Sequence, residues 1–442
     1  AMQNLMLQLA GNPAAAQQFS LVTTSMQNRF FAAARLSAIA SCACAALTSY
    51  AQNAPAAEAG NLATTVVTAA RVEQNLHDVI ADMTIVDRAT IEKSGANTVT
   101  DILARQPGIE ISRTGSPAST TKLFLRGGLS QYTAVLIDGV RVDSQNFSAG
   151  MNWNNLPASQ IERIEILRGP SAAVYGSDAM SGVIQIFTRK GRTGFHPSVE
   201  VGVGSYNTQK LDSSISGGTD AFDYALSVGY EHSKGFDAQP LNPAVSRDRD
   251  GYRRNSGSAQ LGWNINAQHR LEFTALESHT RGQFDQDKKD NLTFNDTRTK
   301  SLSWNAKWND NYQSRLVYTL GTDRYQTANV ASPYESQTDV QTYLWHNEYK
   351  NGIHRLNVDV ERREDRMQDN KLLGSPTRKR SQDGLALGYG LNAGAHALQA
   401  NVRHDDDSEF GNKTTGSLGY AYRITPSWRV SASAGTAFRA PS

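Results

Sequence analysis

Five aspartates pose the first chemical question. Asp237 follows Lys234-Gly235-Phe236, Asp248 and Asp250 alternate ahead of Gly251, and Asp285 and Asp287 alternate in the next long polar stretch. Alternate carboxylates before a glycine turn suit a hard cation that takes oxygen ligands. The competing reading is solvated loop charge, and Arg247, Arg249, Lys288 and Lys289 close by support it. No catalytic constellation accompanies them. The chain has neither Gly-x-Ser-x-Gly nor His-Glu-x-x-His, so no nucleophile or zinc site can be named. His232, His279 and His346 read as strand or loop residues. Arg126 and Arg168 sit in otherwise apolar stretches, where each either snorkels to water or needs a counter-charge, because a buried charge cannot stand alone.

Composition narrows the partners. The 44 basic and 42 acidic residues among 442 leave a net charge of +2. That balance, interspersed along the chain, implies no nucleic-acid partner. Mean hydropathy is −0.48, and no apolar run of helix-spanning length follows the N-terminal region. A transmembrane β-barrel is compatible with such values, because lipid-facing and lumen-facing residues alternate.

The elements around these residues fall into segments. Residues 1–25 resemble no targeting class and are set aside as an upstream extension. Met26 opens a secretory signal with Arg29 and Arg35, an apolar Leu36–Leu47 stretch, and Ser49-Tyr50-Ala51 as cleavage site, so residues 26–51 are expected to be removed. Ile39-Ala40-Ser41-Cys42 loosely fits lipoprotein processing, the weaker reading. Both cysteines, Cys42 and Cys44, lie in this segment, and cleavage after Ala51 leaves a mature chain without thiols. Residues 52–70 form a polar linker carrying a β-prone patch, Thr64 to Ala70. Residues 71–190 form a compact mixed unit. Val99–Gln106 reads as a helix stopped by Pro107-Gly108, while Leu123–Arg126, Ala134–Ile137 and Ile161–Leu167 read as buried strands ended by Gly turns. From 191 to 442 period-two alternation dominates. Phe222, Tyr224, Leu226, Val228 and Tyr230 alternate with polar or small residues, as do Leu302 to Trp308, Leu385 to Leu391 and Trp428 to Ala434. These segments are about ten residues long, as membrane-spanning strands should be, and longer than ordinary sandwich strands.

Three blocks carry a resemblance: Asp101-Ile102-Leu103 through Pro107-Gly108-Ile109; Phe124-Leu125-Arg126-Gly127-Gly128 followed by Val135-Leu136-Ile137-Asp138-Gly139-Val140-Arg141; and Ile161 through Ile184 around Arg168-Gly169-Pro170. In order, spacing and length they resemble the plug of TonB-dependent outer-membrane receptors, and the likeness runs over residues 64–442. It implies a mostly β fold: a transmembrane antiparallel β-barrel with an N-terminal α+β plug, exported to the bacterial outer membrane. Barrels of plugged transporters have about 22 strands, whereas roughly a dozen fit after Lys190, so this chain is expected to lack the C-terminal part of its barrel and to form an unclosed sheet around the plug.

The resemblance also implies roles. Arg126 and Arg168 would pair with barrel glutamates and lock the plug. Thr64, Thr65, Val66, Val67, Thr68 and Ala69 resemble a TonB box, an exposed strand on a tether that can add to a sheet edge of periplasmic TonB; the alternative is the plug's first ordinary strand. Thr121, Lys122, Ser130, Gln145, Asn146 and Phe147 would meet ligand at the plug apex. The acidic loops, Tyr175–Ala179, Asp406–Gly411 and Gly435–Ser442 resemble the cobalamin branch of the family. There Asp237, Asp248, Asp250 and Asp285 would bind calcium. Lys122 and Leu129 depart from that branch, standing where small polar ligand contacts would be expected. The expected function is TonB-dependent uptake of a corrinoid, by a lipid-embedded monomer without catalytic activity. A ferric siderophore is the alternative ligand and a passive porin the alternative class.

Overall fold

The apolar runs of the first unit build a small sheet, and the alternating segments of the second build a large one. The computed structural model describes residues 65, 66, 68, 71, 74–76, 79–145, 150–245, 247–287, 290–425 and 427–441. The signal segment, the extension before it, the linker to residue 63, and Thr64, Val67, Ala69, Ala70, Asn146 and Phe147 lie outside the described residues. The chain divides after Leu62, and the described residues belong to the second unit, Ala63–Ser442.

The plug begins with β1 (Thr65–Val66) and β2 (Gln74–Asn75), which pair antiparallel. Then come β3 (Asp82–Val86), β4 (Ile109–Arg113), β5 (Thr121–Leu125), β6 (Thr133–Ile137), β7 (Val140–Arg141), β8 (Ile161–Arg168) and β9 (Gly182–Thr188). Five of these form a mixed sheet in the order β3-β8-β9-β6-β7, and β4–β5 is a separate hairpin. The expected helix spans Val99–Leu103. Thr98 caps it by accepting from the Asp101 amide while the Asp101 carboxylate accepts from the Thr98 amide, the reciprocal arrangement that satisfies two orphan donors. It stops before Gln106. Ile102, Leu103, Leu123, Leu125, Ile137, Leu156, Ile161, Ile164, Ile166 and Ile184 are each no more than 1% exposed and make one core around Trp153.

Among the described residues the barrel sheet has thirteen strands: β10 (Gly194–Gly204), β11 (Thr208–Gly218), β12 (Phe222–Phe236), β13 (Asp250–Asn264), β14 (His269–Phe284), β15 (Asn291–Lys307), β16 (Tyr312–Ala328), β17 (Glu335–Asn351), β18 (His354–Asp369), β19 (Thr377–Ala393), β20 (His396–Asp407), β21 (Gly411–Thr425) and β22 (Trp428–Gly435). Each pairs antiparallel with the next, and among the described residues β10 and β22 are not paired with each other. The alternation has a direct outcome. Val228, Leu302, Leu316, Trp345, Leu385 and Val402 face outward and are exposed, while Ser227, Thr274, Ser278, Asn295, Thr297 and Thr299 face inward and are buried against the plug. The polar inner face therefore packs on protein, not on water alone. Strands of 15 to 17 residues exceed the 9–11 needed to cross a bilayer, so they continue past the hydrocarbon. Turns such as 352–353 and 394–395 join one end, and longer connections such as 237–249 and 370–376 join the other. Short turns mark the periplasmic end and long loops the extracellular end of such barrels.

Candidate functional site

The β-prone patch meets the plug floor. Val66 is fully buried against Leu76, Val79, Ala81, Met83 and Ile85, and pairs with Gln74 across the β1–β2 ladder. Thr68 donates from its amide (2.8 Å) and its hydroxyl (2.7 Å) to Oε2 of the fully buried Glu165. Its carbonyl accepts from the Tyr175 hydroxyl at 2.9 Å. Arg71 lies over the Tyr175 ring at 4.9 Å and pairs with Glu361 on β18 at 2.6 Å. The expectation of an exposed strand on a tether is thus corrected for the described residues Thr65, Val66 and Thr68. They form a docked strand, because β2 offers it an edge and Glu165 offers its backbone an acceptor. Arg71, which sequence reasoning passed over, fastens this segment to the barrel wall.

Among the described residues, the two arginines expected to lock the plug pair within it. Arg126 bonds Asp82 and is half exposed. It sits at φ 51°, in the turn after β5, which aims it along the plug surface. Arg168 reaches Thr84 (2.7 Å), the Pro107 carbonyl (3.1 Å) and Asp82 (3.4 Å). Both partners of each bond belong to the plug. Arg126 with Asp82 is an exposed pair of the kind that contributes little, whereas Arg168 is buried and tied to three groups.

The plug and barrel are joined by other charges. Asp178 is 4% exposed and lies 2.9 Å from plug Arg141, 3.4 Å from Arg363 on β18 and 3.2 Å from Arg439 beyond β22. Its backbone takes φ 76°, and its amide donates to the Phe438 carbonyl at 3.2 Å. Arg363 also holds Asp365 (2.7 Å) and plug Asp143 (3.6 Å). Burial, then the neighbouring Asp178 carboxylate, pushes the Asp143 carboxyl up to about 6 against the pull of Arg363 and Arg141. A second knot joins Arg71, Glu361, Arg403 and Asp405, with Arg403 at 3.1 Å from Glu361 and 2.7 Å from Asp405. Two glycines make room for that guanidinium. A Cβ at Gly384 would stand 2.2 Å from Arg403 Nη2, and one at Gly176 3.1 Å. Further hydrogen bonds add to the seam: Asn155 to Thr297 (2.9 Å), Ser159 to the Asp212 carboxylate (2.7 Å) and Gln160 to Ser256 (3.0 Å). The sequence signal for the barrel side was present in the period. Glu361, Arg363 and Asp365 share the inward phase of β18, and Arg403, Asp405 and Asp407 that of β20.

Of the expected apex residues, Thr121, Ser130 and Gln145 are buried. Thr121 donates to the Ser119 carbonyl at 3.1 Å, and the Gln145 amide donates to Thr338 on β17 at 3.0 Å. Lys122 is exposed. Of the acidic loop residues, Asp250 accepts from the Ala238 amide (3.0 Å), Asp237 accepts from the Gln239 amide (3.0 Å), and the Gln239 side chain donates to the Asp285 carbonyl (3.0 Å). Burial, then Asp237 and Asp248, pushes the Asp285 carboxyl up from its ordinary value. Among the described residues, no three His, Cys, Asp or Glu side chains are gathered closely enough to hold one metal ion.

A plug threaded inside an antiparallel meander and knotted to it by buried charges is the geometry that comparison with known families tests. Residues 75–183 match the model of the TonB-dependent receptor plug domain, and residues 194–442 match that of the TonB dependent receptor-like β-barrel. The chain belongs to the TonB-dependent receptor family. Barrels of this family lie in the outer membrane, and its members are transport receptors, not enzymes. Among curated relatives, the vitamin B12 transporter BtuB of Vibrio vulnificus is 30% identical over 413 residues, covering 86% of this chain and 63% of its own length. BtuB of Photobacterium profundum is 28% identical over 383 residues, covering 85% and 62%. The chain thus spans under two thirds of these relatives. Among solved structures, a mutant of the ferric enterobactin receptor PfeA from Pseudomonas aeruginosa aligns with TM-score 0.72 at 19% identity, covering 86% of this chain and 64% of that one. The siderophore receptor PirA from Acinetobacter baumannii aligns with TM-score 0.69 at 20% identity, covering 81% and 61%. These likenesses establish the shared plug-in-barrel fold.

Proposed function

We propose that this TonB-dependent receptor carries a corrinoid of the cobalamin type across the outer membrane, with TonB drawing on the Thr64–Ala70 segment. The observation that carries the proposal is the docked strand. Val66 and Thr68 are seated on the plug and Arg71 ties them to Glu361, so a pull on this segment acts on both plug and wall. A β-prone segment of this kind can add to a partner's sheet edge through main-chain hydrogen bonds. The corrinoid ligand rests on the similarity to vitamin B12 transporters. A ferric siderophore is the second ligand class. The siderophore receptors among the solved neighbours speak to fold alone at their level of identity. A passive porin fits poorly, because the lumen of the described barrel is occupied by a folded core. Export by cleavage after Ala51 and a monomeric state belong to the same reading.

Calcium is proposed as the ion that orders the extracellular loops through Asp237, Asp248, Asp250 and Asp285. The support is electrostatic. Asp285 Oδ2 is buried with no hydrogen-bond partner, and burial, then Asp237 and Asp248, disfavour its carboxyl as an anion. A hard cation relieves that repulsion with oxygen ligands. The test is a binding titration of the receptor produced from its native gene against cyanocobalamin and a panel of ferric siderophores, with and without calcium. Cyanocobalamin is expected to bind, and calcium to tighten it roughly 5- to 150-fold, the usual range of coupling between two sites. Asp248→Ala with Asp250→Ala removes the calcium effect. Siderophore binding without cyanocobalamin binding overturns the ligand assignment, and calcium-independent affinity in the parent overturns the loop assignment.

A further inference from the structure

The outer wall of the barrel carries charges above its apolar band, and several are matched across strands. On β14 and β15, Glu277 pairs with Arg298 at 2.7 Å and His279 with Asp296 at 2.8 Å. Arg324 pairs with Glu335 at 2.6 Å, and Arg362 with Asp383 at 3.0 Å. The extracellular end of β12 to β14 gathers five basic side chains without such partners among the described residues. His232, Arg253 and Arg281 are direct cross-strand neighbours in one row, His232 opposite Arg253 and Arg253 opposite Arg281. Lys234 and Arg249 converge on the same cleft, whose volume is about 350 Å³. Lys234, Arg249, Arg253 and Arg281 are exposed. None of the five forms an ion pair among the described residues.

Three nearby carboxylates, Glu231, Asp250 and Asp290, take hydrogen bonds from other groups. Glu231 is buried on the inner face and holds Arg254 and Tyr252. Asp250 is buried and accepts from Ala238, and Asp290 accepts from Gln283 at 2.7 Å. Like charges placed directly opposite on one face of a sheet destabilise it. Arg253 directly opposite Arg281, with Lys234 and Arg249 beside them and His232 completing the row, is therefore costly by itself and suited to an anion bearing several oxygens. Gly251 leaves the gap between them, since a Cβ there would meet the Gln283 side chain at 2.9 Å. His232 Nδ1 lies 3.2 Å from the Tyr252 carbonyl, so that nitrogen carries the hydrogen and donates it.

Height above the membrane names the kind of anion. Phe222, Tyr224, Leu226, Val228 and Tyr230 form the outward face of β12, and His232 is the next outward residue. At about 3.4 Å of rise per residue it stands roughly 7 Å along the strand above Tyr230. Aromatic residues at the end of an apolar band mark the interface with lipid headgroups. The cluster faces away from the lumen, so a ligand in transit does not meet it.

We infer that this cleft binds the phosphate groups of an outer-leaflet lipid headgroup. His232, Arg253 and Arg281 form its floor, and Lys234 and Arg249 its rim. The site goes beyond the transport reading and rests only on the barrel's place in the outer membrane. Arginine forks and lysine ammonium groups both suit phosphate oxygens.

The experiment compares the receptor produced from its native gene, purified in mild detergent, with an Arg253→Gln, Arg281→Gln double variant and with Arg298→Gln, whose side chain is outward but ion-paired. Native mass spectrometry reads the lipid retained after titration with lipopolysaccharide, with the same lipid after removal of its lipid A phosphates, and with inorganic phosphate. The parent and Arg298→Gln are expected to retain phosphorylated lipid. The double variant should lose affinity by about tenfold or more, from the contribution of two cations facing an anionic headgroup, and dephosphorylated lipid should bind as weakly to the parent. In lipid-free detergent the double variant should melt no lower than the parent, because it removes repulsion, and this separates a lost site from a damaged fold. Equal lipid binding by parent and double variant overturns the site. Binding of inorganic phosphate as tight as that of lipid overturns the lipid as its occupant.

Discussion

Asp178→Asn is expected to loosen the plug from the barrel by about 3–5 kcal/mol, the cost of stranding buried charges. Asp178 is the only carboxylate within 4 Å of Arg141 and of Arg439 among the described residues, and one of three around Arg363. Its loss leaves the buried Arg141 and the half-buried Arg439 without a counter-charge. Asparagine keeps the size of the side chain and tolerates the left-handed backbone at φ 76°. Alanine adds about 1–2 kcal/mol of backbone strain at that φ, so Asp178→Ala should be the worse of the two. The measurement is protease resistance of the plug and leakage of a bulky antibiotic into cells carrying each variant. Arg126→Gln is the matched comparison, since its pair with Asp82 is half exposed and such pairs contribute about 1 kcal/mol at most. An Asp178→Asn receptor as tight and as protease-resistant as the parent removes the lock assigned here.

The second large effect concerns Val66. Val66→Pro should reduce uptake to the level of cells lacking the receptor while leaving ligand affinity unchanged. Proline has no N–H to give to a strand partner and is confined to edges and bulges of sheets. Val66 has two strand-forming tasks in this account: pairing with Gln74 in the docked state and offering its main chain to TonB when released. Its side chain is fully buried, so Val66→Ala controls for lost packing while keeping the N–H. If uptake survives Val66→Pro, the strand is an ordinary part of the plug and energy enters elsewhere.

How much of this was legible in the sequence depends on the range of the interaction. Period-two alternation separated lumen from lipid along Phe222–Tyr230 and Leu385–Leu391, because side chains in a strand leave on opposite faces. Thr98 and Asp101 mark a helix start by type and spacing alone. The Ile and Leu runs at Ala134–Ile137 and Ile161–Leu167 became β6 and β8. The lock was not legible. Asp178 and Arg363 are 185 positions apart, and spacing carries no information about such a pair. Arg126 and Arg168 drew attention because they interrupt apolar stretches, yet a turn at φ 51° sends Arg126 to Asp82 within the plug. The docked strand was only the alternative reading of its patch, because its partner, Gln74-Asn75, is polar and two residues long. The cationic row on β12–β14 depends on register, which sets His232, Arg253 and Arg281 side by side although they are distant in sequence. Of the residues expected at the plug apex, Ser130 and Gln145 are polar by type but buried by packing, a difference that one residue's identity does not reveal.

The most direct test of energised corrinoid transport is accumulation of radiolabelled cyanocobalamin by cells that express this receptor from its native gene and lack any other route for the molecule. The account predicts accumulation against a gradient that disappears when TonB is deleted, while surface binding of the label to the same cells persists. Accumulation that continues without TonB, or cells that bind and take up no cyanocobalamin at all, would contradict it.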